Sequence, residues 1–280
     1  MPSDRIVALG VVATLAVFGA AIATLDVRAD PAPGAKPGAA APATPAARPP
    51  RQVLMAAAQG LDDMGSARIR TDRQGPAGRS SADGTLSWGA RDIGDLRFTD
   101  RQGSGRLLVV DGVCYSEHDA PAGPLPAGRW QRAERPGAES LDPDGPPADG
   151  YAGGWMTALV SNPSGRVRAV ALVGRLSEVG TEDVAGTAAT RYRGTVSVEA
   201  LFGADQNLSG PRLAAVLAYY RAQGTESLDY DFWVADGDRL LRMRQSVPGR
   251  DGTEVTTTVV SDPGVAFEVQ APAPAEVAAG

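Results

Sequence analysis

One cysteine, one histidine and one lysine (Lys36) occur in 280 residues, and aromatic side chains are few: four Trp, six Tyr and five Phe. Cys114 has no second cysteine to pair with, which excludes an internal disulfide and a cysteine-rich zinc site. A single imidazole, His118, excludes a multi-histidine metal centre. Any Ser-His-Asp or Cys-His mechanism would have to run through that one ring. The two residues are four apart in Val113-Cys114-Tyr115-Ser116-Glu117-His118. On a strand that spacing puts them on one face but about 13 Å apart, too far to pair. Cys114 therefore reads as a half-buried strand residue and His118 as a solvated loop residue. Basic residues are not in excess either: 27 Lys and Arg stand against 33 Asp and Glu, a net charge of −6. That argues against duplex nucleic acid as a partner, since phosphate binding needs a basic face.

What is present fits a soluble globular chain, with 43% hydrophobic and 21% charged residues. No feature marks a catalytic pair. Asp62-Asp63 and the alternating Asp229 and Asp231 read as solvated faces, and Gly103-Ser104-Gly105 lacks the Lys and Thr of a phosphate loop. The reading assigns no catalytic residue, no metal and no cofactor.

Ile6–Leu25 is an uncharged run of twenty residues, which as a helix spans about 30 Å, a full hydrocarbon core. It is expected to be a signal anchor or, alternatively, a cleaved signal peptide with a small-residue site at Val27-Arg28-Ala29. As an anchor it makes the cytoplasmic membrane a partner. Arg5 before it and the Asp-rich flank after it place the domain outside the cytoplasm. Residues 1–29 form this leader. Residues 30–50, rich in Pro and Ala, form a linker that favours polyproline II and reaches about 60 Å when extended. Residues 51–280 form the domain.

Within the domain, Val53, Leu54, Ala57, Ala58, Leu61 and Met64 recur at helical spacing and Gly65 stops the helix. Short alternating segments follow: Ala67–Thr71, Thr85–Ala90, Asp95–Asp100, Arg106–Tyr115 and Arg129–Ala133. Asp111-Gly112 between apolar runs is a hairpin signal. After a Gly/Pro/Asp-rich loop, Trp155–Val160 and Arg166–Val173 are expected as short helices. Strands return at Leu176–Thr181 and Ala188–Val198. Pro211–Gln223 is a helix with Pro in its first turn and Gly224 at its end. Leu228–Ala235, Arg239–Val247 and Thr253–Val260 close the domain. About ten strands linked by local hairpins predict an α+β fold: a strongly curved antiparallel sheet, an open half-barrel, with helices covering the concave face. Such a layering leaves an apolar space able to hold a hydrophobic ligand without any catalytic residue.

Three hairpin stretches, taken in order, resemble the LolA/LppX-like fold of lipid-carrying envelope proteins, especially its actinobacterial members. They are Leu107-Leu108-Val109-Val110-Asp111-Gly112-Val113-Cys114-Tyr115 with Trp130 following, Val179–Thr187 with Thr190–Val196, and Tyr230–Gly237 with Leu240-Leu241-Arg242. The tail pieces Ser261–Gly264 and Val269–Pro272 also fit. The resemblance implies an unclosed barrel that holds a lipid or acylated ligand, without enzyme activity. A second implied role is an envelope sensor that binds a membrane regulatory protein. The chain departs from many actinobacterial relatives in having no lipobox cysteine. The expected cavity lining is Leu54, Leu61, Leu86, Trp88, Phe98, Leu108, Met156, Leu159, Val196, Leu217, Phe232 and Met243.

Overall fold

A computed structural model of the chain describes residues 48–76, 78–101, 103–120, 127–134, 163–204 and 210–278. The leader, most of the linker and the expected helix at Trp155–Val160 lie outside these residues. Six strands come first: β1 (Ser66–Gly75), β2 (Gly78–Trp88), β3 (Asp92–Asp100), β4 (Gly103–Val110), β5 (Val113–His118) and β6 (Gln131–Glu134). Five more follow: β7 (Arg175–Val184), β8 (Thr187–Ser197), β9 (Ser227–Ala235), β10 (Arg239–Gly249) and β11 (Gly252–Ser261). All belong to one open antiparallel sheet in the order β6-β5-β4-β3-β2-β1-β11-β10-β9-β8-β7. The helices are α1 (Pro50–Met64), α2 (Pro163–Val173), α3 (Val198–Gly203) and α4 (Gly210–Ala222). The predicted α+β class, a curved open sheet of local hairpins with helices on one side, is the observed one.

The sheet is two meanders, β1–β6 and β7–β11, joined at one seam. There β1 and β11 pair from Arg68↔Ser261 to Gln74↔Val255. The hairpin chemistry is local. Asp111 and Gly112 both take positive φ (49° and 86°) between β4 and β5, and Ala185 and Gly186 do so (54° and 83°) between β7 and β8. That is the backbone a two-residue turn needs to match strand twist.

Two differences from the sequence reading have clear causes. β2 begins at Gly78 rather than Thr85. Its inner positions there are Ser80, Ala82 and Gly84, too small and polar to give an apolar alternation. Val198 opens α3 instead of ending β8. Ser197 is the N-cap, its Oγ accepting from the Ala200 N–H at 3.1 Å.

Strand parity sorts the side chains. The inner face presents Ala67 and Ile69, Leu86, Leu96 and Phe98, Leu107 and Val109, and Tyr192 and Val196. It also presents Leu228, Tyr230, Phe232 and Val234, all in one core cluster with helix residues Leu54, Leu61, Val167, Val170 and Leu201. α1 packs on α2 and on β7, β9 and β10, while α2 and α3 pack on β8. Asp62 of α1 accepts hydrogen bonds from Ser164 and Arg168 of α2. At the C-terminal end of α1 the Trp88 indole N–H donates to the Leu61 carbonyl at 2.9 Å, satisfying one of the carbonyls a helix end leaves open. Trp88→Phe is expected to cost about 1 kcal/mol, measured as a shift in the urea midpoint. An unshifted midpoint would mean water replaces the indole at no cost.

The outer face carries charges laid across strands: Arg68–Asp83, Arg106–Asp95 (2.6 Å), Arg97–Asp119 (2.7 Å) and Arg191–Glu182 (3.0 Å). It also has two apolar patches of its own. One consists of Val184, Ala189, Trp233 and Ala235. The other, Ile93, Leu108, Trp130 and Val269, is covered by the C-terminal tail. That tail returns to the β6 edge, where Trp130 pairs in parallel with Val277. Arg129 donates to the Ala275 and Val277 carbonyls at 2.5 and 3.0 Å.

Asp231 is a correction to the solvated-face reading: it is 7% exposed. Its carboxylate accepts two hydrogen bonds from Arg191, both at 3.0 Å, and two from Arg193, at 3.0 and 3.4 Å. The arginine stems and Trp233 cover it. Long basic side chains shield a surface that simple alternation reads as wet.

Candidate functional site

The inner face with its helices is the candidate ligand-holding region. Of the expected lining residues, Leu54, Leu61, Leu86, Phe98, Val196 and Phe232 lie together in the inner cluster, each 2% exposed or less. Trp88, Leu217 and Met243 are partly buried against that cluster. Leu108 lies elsewhere, on the outer face beside Ile93, Trp130 and Val269. In the run Leu107-Leu108-Val109 the strand period of two sends the middle residue to the opposite side from its neighbours. Met156 and Leu159 lie outside the described residues.

The inner region is thus graded. Its centre is filled by its own side chains, whereas toward α4 Leu217 and Tyr220 are only partly buried. There Phe202 stacks on Tyr220 with centroids 5.2 Å apart, and Tyr219 meets Tyr220 edge-on at 5.4 Å. Beneath them Tyr230 stacks on Phe232 at 5.8 Å. Arg166 of α2 lies 5.6 Å from the Phe202 ring centroid and donates to the Tyr230 hydroxyl at 3.2 Å. Burial pushes the Tyr220 and Tyr230 phenols above their ordinary range, so both are neutral hydrogen-bonding groups at any physiological pH. The sequence points to Phe232 as lining but not to Phe202, Tyr219, Tyr220 or Tyr230. Tyr219-Tyr220 and Phe202 sit in segments of weak periodicity, and only the fold brings them over Tyr230.

The inner face also holds polar groups toward the tips of the β1–β2, β3–β4 and β10–β11 hairpins. Thr71 Oγ1 and Thr258 Oγ1 are 3.2 Å apart, and Arg73 pairs with Glu254 at 2.5 Å. His118 is there too, a second correction. It belongs to β5 rather than a loop, and it packs edge-on against Phe98 with centroids 5.2 Å apart. Its buried Nε2 makes no hydrogen bond among the described residues and lies 3.8 Å from Asp100 Oδ1. The even spacing from Cys114 carries both residues to the inner face; Cys114 is buried there.

Outside this region, the described surface has two open depressions. One, of about 450 Å³, lies between the C-terminal tail and β3–β5 and is bordered by Arg106, Glu117, Trp130 and Glu268. The other, of about 610 Å³, crosses the outer face near the hairpin tips. Among the described residues no group of three or more His, Cys, Asp or Glu side chains is arranged to hold a metal ion. No helix among them is long and apolar enough to cross a membrane.

No family model matches the chain. A stretch of 126 residues is 32% identical to an uncharacterized 31.2 kDa protein of the rplA-rplJ intergenic region of Streptomyces griseus; it covers 44% of this chain and 41% of that protein. The chain therefore matches less than half the length of that relative. Among solved structures, the chain is similar to LprF from Mycobacterium bovis, with a TM-score of 0.47 and 14% identity over 80% of this chain and 96% of LprF. It is also similar to the lipoprotein LppX of Mycobacterium tuberculosis, with a TM-score of 0.44 and 15% identity over 78% of this chain and 99% of LppX.

Proposed function

We propose that this chain is a non-catalytic, extracytoplasmic protein, tethered to the membrane through Ile6–Leu25, that holds a lipid or acyl chain between the inner face of the sheet and its helices. One observation carries the reading. The sheet is two-sided in its main part, with an apolar layer under the helices and ion pairs laid across the face toward solvent. Toward α4 that layer ends in half-buried Leu217 and Tyr220, and along β10 in half-buried Met243 and Val247. An acyl chain enters along this margin, where it replaces water against apolar surface and leaves the packed centre intact. Each buried methylene contributes about 0.8 kcal/mol. The linker sets how far the domain works from the bilayer.

The test is photo-crosslinking in cells with a diazirine-bearing palmitate. The full chain is expected to be labelled at the α4 margin, and the double variant Leu217→Ala, Met243→Ala to be labelled several-fold less while remaining folded by circular dichroism. Labelling confined to Ile6–Leu25, or equal labelling of both proteins, would reject the site. Resistance of the full chain to carbonate extraction checks the tether separately.

A further inference from the structure

The 610 Å³ groove lies on the side of the sheet away from the acyl site, across β10, β11, β1, β2 and β3. Its floor carries hydroxyl-bearing side chains, among them Ser81, Thr99 and Thr257, together with Gln74 and Val255. Three arginines and one aspartate complete it, in a chain whose net charge is −6. Two of these four charges are neutralised locally: Asp72 pairs with Arg70 at 3.1 Å and Arg73 with Glu254 at 2.5 Å. The positive charge of the groove therefore comes from Arg244 at one end and Arg79 at the other.

Neither end is answered by a carboxylate among the described residues. Arg79 donates only to the Gln74 side-chain carbonyl at 3.3 Å. Arg244 stands opposite Asp231 in the β9–β10 register, but both oxygens of that carboxylate are taken by Arg191 and Arg193. Next to it, Arg242 is turned onto the Trp233 ring, 5.2 Å from the centroid. β10 and β2 are three strands apart in the sheet. At about 4.8 Å per strand the two guanidinium groups are rooted roughly 15 Å apart, with a hydroxyl-lined floor between them.

We propose that this groove binds an acidic oligosaccharide, a chain of hydroxyl-rich sugars carrying carboxylates or phosphates at intervals. Arginine forks match such anions bidentately. The intervening Ser, Thr, Asp72 and Gln74 side chains supply donors and acceptors for sugar hydroxyls. The groove is open along its length, which suits a polymer lying across the sheet. With roots about 15 Å apart across three strand spacings, each arginine can meet a different acidic sugar of one chain. The site shares no lining residue with the acyl margin, and each reading can fail without the other.

Calorimetric titration of the full-length chain in a zwitterionic detergent, with a hexamer of galacturonic acid, tests this. The hexamer is expected to bind, free galacturonic acid to bind at least tenfold more weakly, and neutral maltohexaose not to bind. Arg79→Glu and Arg244→Glu should each weaken hexamer binding tenfold or more with unchanged thermal midpoints. Arg175→Glu, an exposed change on β7 away from the groove, should alter it less than twofold. Absence of hexamer binding, or an equal loss in Arg175→Glu, would overturn the proposal. Equal affinity for monomer and hexamer would assign the arginines to a single headgroup-sized anion and overturn it too.

Discussion

Asp231→Ala is expected to destabilise the domain by about 3 kcal/mol, the low end of what breaking a buried ion pair costs. The substitution removes the acceptor of both Arg191 and Arg193 and leaves Arg191, whose side chain is only 18% exposed, with Glu182 alone. Arg191 and Arg193 would each lose two hydrogen bonds. The same carboxylate makes stability depend on pH. Burial acts to raise its pKa, but hydrogen bonds and charge from Arg191 and Arg193 outweigh it, and the pKa lies below the ordinary aspartate value. A carboxylate with a depressed folded-state pKa contributes stability that is fully present above about pH 4, the unfolded value, and is lost as pH falls through the lower folded value. Urea unfolding from pH 7 to pH 2 should therefore show a steeper acid-side loss in the native protein than in Asp231→Asn. That variant keeps the shape and removes the titration. Parallel pH profiles for the two proteins would show that the arginine network contributes no net stabilisation.

Gly84→Ala and Gly105→Ala are expected to be at least as damaging, at about 3 kcal/mol or more, beyond the usual cost of overpacking. A methyl on Gly84 would stand 2.1 Å from the Asp95 carbonyl oxygen and 2.5 Å from Leu96 Cα; one on Gly105 would stand 2.1 Å from the Glu117 carbonyl oxygen. These are backbone atoms of the neighbouring strands β3 and β5, so no rotamer change relieves the overlap. Both glycines sit at inward-facing positions, and close approach of a neighbouring strand's backbone is a known use of strand glycine. Gly103→Ala is the control for bulk alone: a methyl there meets nothing within 4 Å, although its φ of 125° adds strain of its own. If Gly84→Ala and Gly105→Ala unfold no more easily than Gly103→Ala, the close approach of the strands does not need them.

These glycines also explain what a linear reading could and could not see. Hairpin order was legible because Asp111-Gly112 and Gly186 carry turn chemistry in themselves, and α1 was legible because its apolar positions recur at helical spacing. The start of β2 was hidden because its inner residues, Ser80, Ala82 and Gly84, are too small or polar to give an apolar alternation. The side taken by Leu108 was hidden inside an apolar run whose parity only pairing fixes. The burial of Asp231 depends on arginines from β8, forty residues away, and the groove of Arg79 and Arg244 depends on the β1–β11 seam. Contacts made across strands distant in sequence leave no local periodicity to read.

The seam has a consequence for biosynthesis. β1 finds its second neighbour only when β11 has been made, so the first six strands exist for on the order of ten seconds at ordinary elongation rates with a long polar-and-apolar flank unsatisfied. Until then that half is a template for strand addition by any other nascent copy. A holding chaperone, or export before folding, is the physical answer to that interval.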